Sequence, residues 1–239
     1  MKKYIVSFGG LERGKNRHNE SYGIHRDYTS EVHRLFESAK PYFDDCFYYD
    51  NDWFENSSYC KNNPWVLKED SYGWCFKPIV IQDALNKIED KDVLMWCDSN
   101  HVIMANPRSL IDIATTNNIF CHEHHNIVYY NKNFTHKDMF VKMNCDESRY
   151  WDAPQMQVNI MVFYRTDFTI NFVQEWVNFA VDYDTMIKNE MENLPRFDDH
   201  RHEQSIFSIL REKYNLPYYL YPFHIVHERD GIHLIERGE

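Results

Sequence analysis

The segment 92–100, DVLMWCDSN, constrains the fold of this chain more than any other stretch. An uninterrupted apolar run ends at Asp98, and Ser99 and Asn100 follow it. A short run that is apolar throughout and bounded by charge is typical of a buried strand at the centre of a parallel sheet. In α/β sheets, ligands bind beyond the carboxyl ends of the strands. We therefore expect Asp98 and Asn100 to face a site.

Two kinds of local structure fit the polar residues after this run. Oxygen donors at positions i and i+2 can both reach one hard divalent cation, which is usually bound by one or two carboxylates together with substrate phosphates. An Asp-Ser-Asn sequence is also typical of Asx turns and helix N-caps, which need no ligand. The triplet alone leaves both interpretations open.

Hydrophobic periodicity predicts the remaining elements. Strands are expected at 4–8, 45–49, 93–97, 119–121, 127–130, 157–165 and 218–221. Helices are expected at 26–40, 78–88, 107–116, 135–143, 167–181 and 204–213, with short helices or loops at 50–67 and loops at 145–154 and 182–195. Alternating strands and helices predict an α/β fold. We expect one domain over 1–239, with a mostly parallel central sheet and helices on both faces.

Composition excludes several classes of protein. The 239 residues fit one domain, and a formal net charge of -11 argues against binding to nucleic acid. The six cysteines are scattered and lie largely in apolar contexts, which favours reduced core residues. The apolar stretch near the N-terminus is too short for a signal peptide, and no segment approaches the ~20 apolar residues of a membrane helix. We expect a soluble, cytoplasmic protein.

Two further clusters have more than one interpretation. The basic residues Arg13, Lys15 and Arg17 fit either a contact to a diphosphate or a solvated loop. The segment 122–125, HEHH, suggests a histidine-bound metal and a hydrolase. However, adjacent histidines on a strand point in different directions, and no further ligands follow at a zinc-like spacing. A metal hydrolase built on this segment remains an alternative.

Four segments, taken in order, carry a resemblance to a known family. They are 5–8, 73–78, 92–100, and the pair formed by 150–157 and 200–205. In this order they resemble glycosyltransferases of the type A (GT-A) fold, including glycogenin-like and capsule-type polysaccharide enzymes. The resemblance implies a Rossmann-like domain that binds a nucleotide-diphosphate sugar. It also implies that 1–105 form the nucleotide-binding half and 106–239 the acceptor-binding half.

The resemblance assigns a metal site to the triplet. In this fold an Asp-x-Asp motif after the central strand binds Mn²⁺ or Mg²⁺ against the diphosphate of the donor. Here the triplet is Asp98, Ser99 and Asn100, so an amide replaces the second carboxylate and one negative charge is lost. A histidine on the last strand supplies the third ligand in the relatives. The implied ligands are therefore Asp98, Asn100 and His227, with His224 as second choice.

The resemblance also implies the roles of other residues. Glu203 and Gln204 match the Asp-Gln helix start of glycogenin-like retaining enzymes, where the acid lies near the reacting carbon of the donor sugar. They are the implied catalytic residues, although an acid in a first helical turn is also favoured by the helix dipole alone. The implied donor-binding residues are Asp98, Ser99, Asn100 and Gln157. Lys77, just before the first turn of its helix, is a candidate for contact with the phosphates or sugar of the donor. Ser7, at the end of its strand, fits either a nucleotide contact or a plain turn hydroxyl.

The function implied by these assignments is sugar transfer. We expect a hexosyltransferase-type enzyme that moves a sugar from a nucleotide-sugar, with a UDP-sugar favoured, to a glycan or glycoprotein acceptor. The resemblance implies metal assistance and retention at the reacting carbon. A cation that bridges the phosphates would neutralise the leaving group. The alternative is a non-catalytic nucleotide-sugar or glycan-binding protein of the same fold, which the amide at Asn100 favours.

Overall fold

The computed structural model describes residues 1–10, 28–68, 75–123 and 129–228, except for the side chains of His227 and Glu228. The strands are β1 (Lys3–Phe8), β2 (Asp45–Tyr49), β3 (Val93–Cys97), β4 (His101–Ile103), β5 (Ile119–Glu123), β6 (Met156–Tyr164) and β7 (Val226–Glu228).

Helices occupy most of the segments between these strands. The longer ones are α1 (Thr29–Ala39), α4 (Phe76–Lys87), α5 (Arg108–Asn117), α9 (Asp167–Ala180) and α11 (His202–Lys213). The shorter ones are α2 (Asn51–Asn56), α3 (Ser58–Asn62), α6 (Asn131–Phe134), α7 (Lys137–Lys142), α8 (Ser148–Trp151) and α10 (Tyr183–Met186), with a 3₁₀ turn at Pro64–Leu67.

The main sheet has five strands in the order β2-β1-β3-β6-β5. β1 pairs in parallel with β2 and β3, whereas β6 is antiparallel to both of its neighbours. Four of the five strands therefore run in the same direction, and the predicted mostly parallel sheet is confirmed. β3 lies at the centre and all of its residues are buried, as its apolar run predicts.

Side chains alternate between the two faces of the sheet because successive residues of a strand point in opposite directions. Leu94 and Trp96 of β3 belong to the apolar cluster that contains residues of α4, α9 and α11. Val93 and Met95 belong to the cluster on the other face, which contains residues of α1 and α5. The chain therefore forms a single α/β domain with helices on both faces, as predicted.

Some local predictions were wrong. The segment 218–221 is not a strand: Tyr219 forms one isolated bridge to His122. Pro217 and Pro222 flank this segment, and neither has an N–H group to extend the pairing. The predicted loops contain helical turns, α8 within 145–154 and α10 within 182–195. The antiparallel pair of β4 and β7 was not predicted.

Other predictions were tested only in part. Half of the predicted strand 127–130 lies outside the described residues, and Tyr130 forms an isolated bridge to Pro154. All six cysteines are free thiols, and Cys46 is the only one that is not buried. None of the helices in the described ranges is both long enough and apolar enough to cross a membrane.

Candidate active site

Lys77 joins two acidic residues that are distant in the sequence. Its Nζ lies 3.0 Å from Asp98 Oδ1 and 4.0 Å from Glu203 Oε1. The same ammonium group donates a hydrogen bond of 3.0 Å to the carbonyl oxygen of Val158. Lys77 is only 6% exposed, and a lysine is seldom buried to this degree unless it is paired. The three charged groups therefore form one electrostatic unit, which we call the acid–lysine cluster.

Asp98 is fixed at the carboxyl end of the central strand. Its backbone N–H donates to the carbonyl oxygen of Asn159 on β6, at 2.8 Å. Its Oδ1 accepts a hydrogen bond of 2.8 Å from Trp96 Nε1. Residues i and i+2 of a strand share a face, so the indole two residues earlier lies on the same side as the carboxylate. Oδ1 of Asp98 therefore has two partners, the indole N–H through a hydrogen bond and the ammonium group through an ion pair.

Lys77 is the second residue of α4, where helix stability alone does not favour a cation. The N-terminal end of a helix carries partial positive charge and stabilises acidic side chains rather than basic ones. Pro78 follows it, in a first helical turn that tolerates the missing N–H. The position of Lys77 is therefore explained by its ion pairs and not by the helix that carries it.

Glu203 is placed by the attachment of α11 to neighbouring elements. Its carbonyl oxygen accepts a hydrogen bond of 2.8 Å from Trp176 Nε1 on α9. On β6, the backbone N–H of Met156 donates to Ser208 Oγ at 2.9 Å, and just before that strand Gln155 Nε2 donates to Ser205 Oγ at 3.0 Å. These bonds hold the first turns of α11 against β6.

Burial changes the acidity of Glu203. Desolvation raises the pKa of its carboxyl group from 4.5 to about 7; the ammonium group of Lys77 opposes this shift, and the charge of Asp98 adds to it. Near neutral pH the carboxyl group is therefore present in both protonation states. A carboxyl group with a perturbed pKa beside a fixed cation can stabilise a developing positive charge or transfer a proton.

Ser7 lies beneath this edge of the sheet. It is fully buried, and its Oγ donates a hydrogen bond of 2.7 Å to the carbonyl oxygen of Cys97. This bond joins the carboxyl ends of β1 and β3. Because the hydroxyl group has this partner and no exposed surface, Ser7 supports the strands, and its contact with the donor stays a prediction.

Asn100 takes part in a polar network behind the triplet. Its Oδ1 lies 2.8 Å from His101 Nδ1, and His101 Nε2 lies 3.5 Å from Asn159 Nδ2. The network continues to His122, whose Nε2 lies 3.0 Å from Asn159 Oδ1 and whose Nδ1 lies 3.0 Å from the carbonyl oxygen of Glu123. Both ring nitrogens of His122 thus face oxygen atoms of the protein, as in a hydrogen-bonded core histidine.

The other predicted residues surround the cluster less closely. Ser99 lies in the turn after Asp98, and Gln204 follows Glu203 in the first turn of α11. Gln157 lies on β6, next to Val158, opposite His122 in the register. The backbone of His227 pairs with Val102, which brings β7 beside the segment that follows Asn100. His224 is exposed, and the segments of Arg13, His124 and His125 lie outside the described residues.

Comparisons with known proteins find solved structures that are similar to this chain in fold. No family model and no curated protein matches the sequence. The apo form of mouse xyloside xylosyltransferase 1 aligns with a TM-score of 0.46 and 10% identity, over 92% of this chain and 86% of that one.

Two further solved structures are similar at lower scores. A glycosyltransferase involved in the glycosylation of the major capsid of PBCV-1 aligns with a TM-score of 0.42 and 12% identity, over 93% of this chain and 82% of that one. Mannose-6-phosphate isomerase from Helicobacter pylori aligns with a TM-score of 0.39 and 11% identity, over 76% of this chain and 80% of that one. At these identities the likeness concerns the fold alone.

Asp98 and Asn100, two of the three metal ligands that the resemblance implies, already have partners in the protein. Asp98 Oδ1 is bonded to an ammonium group and an indole N–H, and Asn100 Oδ1 lies against the ring of His101. Across the described ranges, no group of three or more His, Cys, Asp or Glu side chains is arranged to hold a metal ion. The side chain of His227 is outside this description, so its role stays a prediction.

Three contributors to the site were not identified from the sequence. The carbonyl oxygen of Val158 carries no side-chain signal, and the bond from Trp176 to Glu203 depends on how α9 packs against α11. Trp96 could have been identified from the sequence, because a residue two positions before Asp98 on a strand lies on the same face. Its indole N–H could have been recognised as a donor to the carboxylate.

Proposed function

We propose that this protein transfers a sugar from a nucleotide-diphosphate sugar to a glycan or glycoprotein acceptor, with a UDP-sugar favoured as the donor. The observation that carries the proposal is the acid–lysine cluster at the carboxyl edge of the central strand. This edge is where α/β sheets bind their ligands. The cluster brings together Lys77, Asp98 and Glu203, three residues that the family resemblance assigned to the donor site on separate grounds.

The chemistry of sugar transfer matches the charges of the cluster. Cleavage of a sugar–phosphate bond leaves negative charge on the departing diphosphate, and a fixed cation in a buried site stabilises that charge. The reacting carbon becomes oxocarbenium-like, and a nearby carboxylate stabilises it. Lys77 suits the first task and Glu203, in its ionised form, suits the second.

The finer assignments belong to the same proposal and come from the resemblance. Gln204 acts beside Glu203, Gln157 contacts the donor sugar, and Ser99 and Asn100 border the diphosphate. Retention at the reacting carbon follows from the similarity of Glu203 and Gln204 to retaining enzymes. No step is assigned to Mn²⁺ or Mg²⁺, because the described residues do not fit a divalent site.

A non-catalytic protein of the same fold is the second candidate. It is favoured by the amide at Asn100 and by the two partners that Asp98 Oδ1 already has. Such a protein would bind a nucleotide-sugar or a glycan without turning over the donor. Turnover therefore distinguishes the two candidates.

Release of nucleoside diphosphate from a panel of UDP- and GDP-sugars tests the proposal. We expect the wild type to release the diphosphate from one donor and Glu203→Gln to do so at least about 100-fold more slowly, because the variant lacks the carboxylate. Glu37→Gln is the matched control, since the side chain of Glu37 is 68% exposed on α1. Binding without turnover would favour the non-catalytic candidate, and neither binding nor turnover would overturn both.

A further inference from the structure

We propose that Lys77 supplies the positive charge that the family resemblance assigns to a divalent metal, so that the donor diphosphate binds without Mn²⁺ or Mg²⁺. The inference rests on the proposed function, because it concerns how the same donor site neutralises a diphosphate. It follows from the disagreement between the implied metal ligands and the bonds that these residues form.

The first step concerns the oxygen atoms of Asp98. A carboxylate oxygen has two lone pairs for hydrogen bonds or metal coordination. Oδ1 of Asp98 accepts a hydrogen bond from Trp96 Nε1 at 2.8 Å and forms an ion pair with Lys77 Nζ at 3.0 Å, so this oxygen already has two partners in the protein. A dication on the other oxygen of the same carboxylate would face the ammonium group of Lys77 as a like charge, which disfavours its binding.

The second step concerns the rest of the triplet. The second carboxylate of the Asp-x-Asp motif is an amide in Asn100, and its Oδ1 lies 2.8 Å from His101 Nδ1. A site with fewer charged ligands binds a divalent cation more weakly. The triplet therefore offers one carboxylate that is already paired with a cation of the protein.

The third step concerns the capacity of Lys77 to bind a ligand. An ammonium group has three donors. The Val158 carbonyl oxygen accepts from one of them and the carboxylate of Asp98 lies 3.0 Å away as an ion pair, whereas Glu203 Oε1 at 4.0 Å lies beyond hydrogen-bond distance. One N–H of Lys77 therefore remains for an oxygen of a diphosphate.

The fourth step concerns the helix that carries Lys77. α4 has 12 residues, and its N-cap residue, Cys75, makes no side-chain capping bond. The positive end of a helix disfavours a lysine but favours a bound anion. The potential of the helix and the charge of Lys77 therefore act together on an anionic ligand.

Calorimetric titration of UDP into the full-length protein tests the inference, first with EDTA and then with Mn²⁺. We expect wild type to bind UDP in EDTA with a Kd within about threefold of the value in Mn²⁺. Lys77→Met should weaken binding in EDTA by about 10- to 100-fold, because a charge-assisted hydrogen bond is lost. Lys77→Arg, which keeps the charge, should recover most of the affinity. Lys40→Met is the control, since that lysine side chain is 65% exposed.

The outcomes separate this inference from the proposed function. Binding that requires Mn²⁺ would overturn the inference and leave the proposed function standing. Binding in EDTA that Lys77→Met does not change would do the same. Absence of UDP and GDP binding with and without metal would overturn both. The comparison of EDTA with Mn²⁺ uses only the wild type, so it tests the independence from metal even if Lys77→Met does not fold.

Discussion

Lys77 Nζ and Glu203 Oε1 lie 4.0 Å apart, although one residue lies in the first turn of α4 and the other in the first turn of α11. Neither helix carries a complete site. The pairing depends on the attachment of both helices to the same face of the sheet, where α4 lies near β3 and α11 packs on β6. The site is therefore a property of the tertiary fold, and its chemistry should respond to changes in either helix.

The first prediction concerns the pH dependence of activity. The pKa of Glu203 is raised to about 7, and the proposal needs its ionised form. We expect kcat/KM for donor cleavage to rise with pH and to level off above an apparent pKa near 7. A pH–rate profile of wild type checks this. A profile that is flat between pH 5.5 and pH 8.5 would remove Glu203 from the proposed role.

The same shift in pKa predicts an effect on stability. The pKa of Glu203 is raised from 4.5 when folded, so the folded state favours the protonated form. The contribution of the Glu203 carboxyl group to the stability of the fold is complete below about pH 4.5. It is lost as the pH rises through about 7. We expect Glu203→Gln to have a higher free energy of unfolding than wild type at pH 8, by ~1–3 kcal/mol, and a similar one at pH 4.5. Urea denaturation at both pH values measures the difference, and equal stability at pH 8 would contradict the assignment.

A cluster of three histidines predicts sensitivity to acid. The rings of His136 and His200 stack with centroids 3.9 Å apart, and the ring of His202 lies 4.7 Å from that of His200. Burial lowers the pKa of His200 and His202 well below 6.5, and the neighbouring rings lower the pKa of His200 further. Because the folded state disfavours protonation of these rings, their contribution to the stability of the fold is complete above about pH 6.5. It is lost as the pH falls below that value.

Replacement of one ring tests the histidine cluster. We expect His200→Gln to lose ~1–2 kcal/mol at pH 8, because its hydrogen bonds are altered, but to lose less stability than wild type between pH 8 and pH 5.5. His33→Gln on α1 is the control, because His33 is exposed. Urea denaturation at the two pH values gives the comparison. An unchanged pH dependence in His200→Gln would show that this ring does not couple protonation to folding.

Ser7→Ala separates support of the strands from ligand binding. The substitution removes the donor to the carbonyl oxygen of Cys97, so we expect the free energy of unfolding to fall by ~1 kcal/mol. The Kd for UDP should change by less than about twofold, since the side chain of Ser7 has no exposed surface. Calorimetry and urea denaturation report the two effects separately. A large loss of UDP affinity with unchanged stability would place Ser7 in the donor site.

Trp96→Phe tests how Asp98 is oriented. The substitution keeps an aromatic ring in the core but removes the N–H that donates to Asp98 Oδ1 at 2.8 Å. We expect UDP binding to weaken by about 3- to 10-fold, because the carboxylate and its partner Lys77 lose a fixed geometry. Trp176→Tyr is a useful comparison, as it should affect turnover through Glu203 more than binding. Unchanged affinity in Trp96→Phe would mean that Lys77 alone orients Asp98.

The sequence predicted the parts of this fold that depend on local pattern. The apolar run of β3 and its burial follow from composition alone, and the position of Asp98 at the strand end follows from the run. By contrast, the ion pairs of Lys77 with Asp98 and Glu203 depend on the relative placement of two helices and a strand. Periodicity reports which side of an element is buried and does not report which charged groups meet.

The histidines and the segment 218–221 show the same limit. His200 is 6% exposed, although it lies in a stretch rich in ionisable residues, a composition that also fits a solvated surface. Its burial depends on packing against His136 and on a bond with the Met186 carbonyl oxygen at 3.2 Å, both distant in sequence. The aromatic residues of 218–221 favour a strand, but the flanking prolines limit the pairing to one bridge.

The central claim is that the acid–lysine cluster is a donor site, and titration of UDP into wild type and Asp98→Ala tests it most directly. Asp112→Ala is the matched control, because the side chain of Asp112 is 67% exposed on α5. We predict saturable binding to wild type and to Asp112→Ala. We predict binding at least about 10-fold weaker to Asp98→Ala at a similar melting temperature, because Lys77 loses the ion pair that positions its ammonium group. Equal affinity in Asp98→Ala, or no binding of UDP or GDP to any of the three proteins, would contradict the account.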